Sequence, residues 1–180
     1  MLVMGLAFVG CRAKQGRVLP VSPADNASAR IEGVPFYPQS AYQCGPASLA
    51  AVMSFQGVKV TPGEIEEAIF RQELRGTLGL DMALYARGRG LLATWYSGTV
   101  EDIYQRVSQG SPLIVMVDYG IGSLRKLHYM VVVGYTAEAV VVNTGTHQET
   151  NIDWPYFLSL WRRTHNWTLL VEKGKAGGQQ

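Results

Sequence analysis

Apolar residues follow two different spacings along this chain. In the stretch VPFYPQSAYQCGPASLAAVMSF (34–55), an extended run ends at Pro38, a polar turn follows, and a helix is expected to begin at or beside Cys44. Gly45 and Pro46 suit a first helical turn, whose N–H groups lack intrahelical partners. Leu49, Val52 and Met53 share a face that should be buried, and Gly57 is a plausible stop. VKV (58–60) reads as a brief extended piece. Thr61-Pro62-Gly63-Glu64 forms a capping box ahead of a helix over 64–70, with Ile65 and Ile69 on one side. A helix over 80–87 ended by Gly88, a strand over 91–96, and a helix over 100–109 capped by Thr99 follow.

The spacing then changes. PLIVMV (112–117), LHYMVVVGY (127–135) and AVVVN (139–143) are rich in β-branched residues and predict three strands. A short helix over 153–161, opened by Asp153 and Pro155, and a last strand over 167–172 complete the pattern. Helices first and strands second make an α+β domain over 31–172.

Outside that domain the character differs. Residues 1–10 are almost wholly apolar and lead through Gly10 into Cys11, which resembles the end of a bacterial lipoprotein signal. On that reading Cys11 carries a lipid anchor, and the polar, Pro-bearing stretch 11–30 is a tether. The Gly-, Gln- and Lys-rich tail 173–180 is expected to be disordered. The implied setting is the periplasmic side of the bacterial envelope, with secretion as the alternative.

With 180 residues, one domain with a substantial core is expected. Sixteen basic and 14 acidic side chains leave a formal charge of +2, and no basic stripe carries interleaved aromatics, so nucleic-acid binding has no support. No apolar run is long enough for a transmembrane helix in the mature chain. A disulfide between Cys11 and Cys44, the two cysteines, is not expected, because it would tie a terminal segment to the central helix.

Chemistry concentrates on three positions. A thiol at a helix N-terminus sits where N–H groups and the positive dipole end favour a thiolate, so Cys44 is a candidate nucleophile. His128 opens an apolar strand and is a candidate base. If 127–135 and 140–143 pair as a hairpin about 136–139, the second strand returns to the start of the first and brings Asn143 beside His128. An amide there could fix the imidazole tautomer, although Asn143-Thr144-Gly145 is also good turn chemistry. His147 and His165 stand at no metal-ligand spacing, and neither a metal nor another cofactor is expected. The loop 121–127, GSLRK included, leads into His128 and could line a cleft or simply be solvated.

QSAYQCGPASLAAVM, HYMVVVGY and VVVNTG together resemble the papain-like cysteine peptidases that process bacteriocin leaders after a double glycine, and most closely their stand-alone exported members. The resemblance runs from about Val34 to Trp161. It implies a papain-like fold with a helical half, a sheet half and a cleft between them. It also implies Cys44 as nucleophile, His128 as general base and acid, and Asn143 where the family more often has Asp. Gln39, one position nearer the cysteine than is common, is implied as the oxyanion donor, with Gln43 as the alternative. A peptide or protein substrate and separate export machinery follow. The same Cys-His-Asn set would serve transfer to an amine, and a papain-fold peptide-binding module without activity is the reading from a different class.

Overall fold

A computed structural model describes residues 28–39 and 42–174 of the chain. The signal-like segment 1–10, Cys11 and its lipid anchor, the tether up to residue 27 and the tail from residue 175 lie outside the described residues.

The helix that begins at Cys44, α1 (Cys44–Phe55), is the centre of the molecule. It is buried on every side from Gly45 to Met53, not on one face as expected. Small residues allow this: Ala47, Ala50 and Ala51 let neighbouring elements approach around its whole circumference. Gly57, at φ +82°, ends it in a left-handed conformation that suits glycine. The VKV piece is no strand: Val58 N–H folds back to the Met53 carbonyl at 3.0 Å, and Val60 is buried.

Helix α2 (Pro62–Ile69) starts with the predicted capping box. Glu64 N–H donates to Thr61 Oγ1, and the Glu64 carboxylate accepts from Thr61 N–H at 2.7 Å. A small hairpin, β2 (Phe70–Arg71) with β3 (Gly76–Thr77), then precedes α3 (Gly79–Gly88). The strand β4 (Leu91–Ser97) leads to α4 (Val100–Ser108), where Thr99 and Asp102 form a second capping box.

Five strands follow: β5 (Leu113–Asp118), β6 (Leu127–Tyr135), β7 (Ala139–Thr144), β8 (His147–Asp153) and β9 (Trp167–Lys173). Helix α5 (Trp154–Trp161) and a single 3₁₀ turn (Arg162–Thr164) lie between the last two. The sheet runs β4-β9-β5-β6-β7-β8, antiparallel throughout, and β1 (Ala29–Arg30) adds to β6 by pairing with Tyr135 and Gly134. This is an α+β, papain-like arrangement of helices against a large antiparallel sheet.

Strand β8 is absent from the sequence expectation. HQETNID has no apolar alternation and is exposed or half-buried throughout. It pairs because β7 would otherwise leave a row of unpaired backbone groups, and its polar side chains suit an outer strand.

The hairpin between β6 and β7 closes at the predicted place, with Thr136 N–H on the Ala139 carbonyl at 2.8 Å. Its register is not uniform. Tyr135 faces Val140 and Gly134 faces Val141, but Val132 faces Val142 and Val131 faces Asn143. One extra β6 residue, Val133, is accommodated as a β-bulge, so every pair beyond it is displaced by one.

Candidate active site

Cys44, a free thiol, occupies the first position of α1. The N–H groups of Tyr129, Gly45 and Cys44 itself point at the sulfur. Tyr129 follows His128 in β6, so the thiol lies at the same strand end as the imidazole. Gly45 is tightly packed: a Cβ there would meet the Thr77 Cβ at 3.0 Å, with β3 immediately against the helix start. Tyr129 donates its hydroxyl to the Thr77 carbonyl at 3.3 Å and fastens the same hairpin to the sheet.

Burial pushes the Cys44 thiol up, and the three N–H groups offset this only in part. The expectation that a helix start would favour a thiolate is therefore corrected. Desolvation of the anion outweighs the three N–H donors.

His128 is half-buried and faces Val117 of β5. Its Nε2 lies 2.7 Å from Thr144 Oγ1. The Tyr119 ring packs beside the imidazole with centroids 5.9 Å apart. Burial, helped by the charge of Lys126, lowers its pKa to about 4, so the ring is neutral at physiological pH.

The loop entering His128 is held by Asp118. This fully buried carboxylate accepts from Lys126 N–H at 2.9 Å and Gly120 N–H at 2.8 Å. It also accepts from Arg125 at 2.7 Å and lies 3.6 Å from Arg163. The Lys126 N–H, then the Arg125 bond, hold its pKa at about 2 against the effect of burial. Gly120 is a structural necessity, since a Cβ there would overlap the Leu124 backbone carbonyl.

Asn143 is not beside His128. It faces Val131, three residues along β6, and directly opposed residues share a face while successive residues alternate. Its side chain therefore leaves the sheet on the side away from the imidazole. Its Oδ1 accepts from Glu149 N–H at 2.9 Å, where β8 carries an irregularity and Glu149 has φ +52°. The bulge at Val133 is the physical reason: with an even register Asn143 would have faced Val132, on His128's side. Thr144 takes the expected place; the one signal in the sequence is Gly134, a glycine inside the strand pattern next to the bulged Val133, and the expectation of an even hairpin overlooks it.

Gln39 is brought to the site. Its backbone N–H donates to the Gly145 carbonyl at 3.0 Å, one residue from Thr144. Its side-chain Oε1 is buried with no hydrogen-bond partner. Gln43 is directed elsewhere, its Nε2 donating to Glu66 of α2 at 2.7 Å. His147 stands 3.3 Å from Thr146, and His165 ends the 3₁₀ turn. Among the described residues, no group of three or more His, Cys, Asp or Glu could hold a metal ion. None of the described helices is long and apolar enough to cross a membrane.

A family model, the Peptidase_C39 like family, matches residues 31–168. The chain belongs to this family. A C39-like protein from Bacillus anthracis superposes with a TM-score of 0.69 at 15% identity, over 83% of this chain and 99% of that one. The peptidase domain of Streptococcus ComA, a bi-functional ABC transporter involved in quorum sensing, has a TM-score of 0.64 at 21% identity, over 79% and 100%. A double glycine motif protease from an AMS/PCAT transporter, solved with its leader peptide, has a TM-score of 0.64 at 21% identity, over 81% and 95%. No curated protein matches. Membership of a peptidase family supports a peptidase, and at these identities the solved neighbours establish the fold.

Proposed function

We propose that the protein is a cysteine peptidase acting on exported peptides or proteins. The observation that carries this is the Cys44 thiol at the start of α1, bonded by the N–H of Tyr129 next to His128. Cys44 attacks a peptide carbonyl and its proton passes to the imidazole. Because the thiol is shifted up and the imidazole down, the proton moves together with the attack and no ion pair is formed beforehand. The imidazolium then protonates the leaving amine, leaving a thioester on Cys44. Water, deprotonated by His128, releases the acid and restores the thiol.

Charge developing on the carbonyl oxygen is held by the Cys44 N–H and the side-chain amide of Gln39. Gln39 is the choice for this role because its backbone is tied to the turn after β7, one residue from Thr144. The Cys11 segment favours a lipid-anchored protein on the periplasmic side of the envelope, served by separate export machinery. Palmitate labelling that persists in Cys11→Ala would remove the anchor from this reading.

One observation favours the alternative of a peptide-binding module: His128 is partnered by a hydroxyl and not by a carboxylate or amide. A peptide-library digest with wild type and Cys44→Ala decides between them. New termini in the wild type alone support the peptidase. Identical product sets reject it.

A further inference from the structure

The bond between β6 and β7 differs from the one expected of a cysteine–histidine centre. We propose that Thr144 is the positioning residue for His128 and that Asn143 has no part in orienting the base. This rests on the peptidase reading for its consequence in catalysis, but not for its geometry.

Three observations carry it. Thr144 Oγ1 is 2.7 Å from Nε2. The Val133 bulge turns Asn143 to the other side, where its oxygen serves Glu149 N–H. The turn after Thr144 is fixed to the segment before the nucleophile by the Gln39–Gly145 backbone bond, so the hydroxyl is held in place relative to both halves of the site.

Occupation of Nε2 leaves Nδ1 as the nitrogen that takes the thiol proton. That requires the tautomer with its proton on Nε2, donated to Thr144 Oγ1. A carboxylate only accepts and would enforce this tautomer. A hydroxyl both donates and accepts, so it also tolerates the unproductive form, with Thr144 donating to Nε2 and the proton on Nδ1. Thr144 thus sets the ring's orientation but selects its tautomer weakly, and it offers the imidazolium a dipole in place of a charge.

The test uses the full chain with Thr144→Val, Thr144→Ser, Thr144→Asp and Asn143→Ala. Two readouts are taken: steady-state hydrolysis of a peptide found in the library digest, and ¹⁵N shifts of His128, which report tautomer and titration. Thr144→Val should lower kcat about ten- to a hundredfold with KM unchanged. Thr144→Ser should stay near wild type. Thr144→Asp should move the His128 titration upward by about one unit or more and shift the ring to the Nε2–H form. Asn143→Ala should leave the His128 ¹⁵N shifts unchanged. The proposal is overturned if Thr144→Val leaves the His128 shifts and kcat as they were, if Thr144→Ser is as impaired as Thr144→Val, or if Asn143→Ala alone disturbs the ring. If the wild type cleaves nothing but Thr144→Val still changes the ¹⁵N shifts, Thr144 stands as the orienting group and the peptidase reading falls.

Discussion

Tyr129 binds Thr77 through its hydroxyl while presenting its backbone N–H to the Cys44 sulfur, so one residue couples the β2–β3 hairpin to the candidate nucleophile. Its ring also stands edge-on to Trp167, with centroids 5.4 Å apart. Tyr129→Phe keeps the ring and the N–H and removes only the hydroxyl. We expect a loss of about 1 kcal/mol in urea denaturation, with the alkylation rate of Cys44 unchanged. A large rate change would mean that the hydroxyl, and not the backbone, governs the thiol.

The burial of Cys44 predicts a neutral thiol at rest. Absorbance of the thiolate at 240 nm should rise only above the ordinary thiol range, roughly 8.5, and iodoacetamide should react slowly at neutral pH. A plateau of thiolate absorbance already present at pH 6 would show that the helix start dominates after all.

Gly45→Ala tests the packing at the helix start. The new Cβ would press on the Thr77 side chain at 3.0 Å, so either the first turn or β3 must give way. The expected result is loss of hydrolysis by at least about tenfold with a modest fall in stability, roughly 1–2 kcal/mol. Full activity would show that the hairpin yields without disturbing the sulfur.

Acid should destabilise the fold in two stages. The folded His128 has a pKa lowered to about 4, so between the ordinary value of 6.5 and 4 the unfolded chain binds a proton that the folded one does not, and stability falls as pH falls. Asp118, lowered from 3.8 to about 2, contributes stability that is fully present above 3.8 and lost as pH drops toward 2. Urea midpoints at pH 8, 5 and 3 should therefore decline stepwise. His128→Ala should flatten the first decline and Asp118→Asn the second. Asp118→Asn should also lower stability at pH 8 by about 2–3 kcal/mol, since Arg125 keeps partial hydration when its partner is lost.

Much of this architecture was legible because local chemistry and tertiary packing agree. The two capping boxes at Thr61 and Thr99 name their helices by side-chain reach alone. The β-branched runs of β5, β6 and β7 could be buried in no other form. Strand β8 was not legible, because HQETNID earns its conformation from the neighbouring edge and not from its own side chains. At the candidate site, the places of Cys44 and His128 at the start of a helix and of a strand were readable. The third group was not: a single added residue, Val133, reverses which side chain of Asn143 and Thr144 reaches the imidazole. The shift of Cys44 was also hidden, because the dipole is visible in sequence whereas the depth of burial is not.

The strand Trp167–Lys173 sits between β4 and β5. Removing it would not trim the sheet at a margin; it would take out an interior row and strand β4 from the rest. During synthesis this row emerges after every other strand, so the sheet stays divided until nearly the whole domain has left the ribosome. The strands beneath the thiol and imidazole, β5 to β7, are therefore synthesised before the piece that ties them to β4.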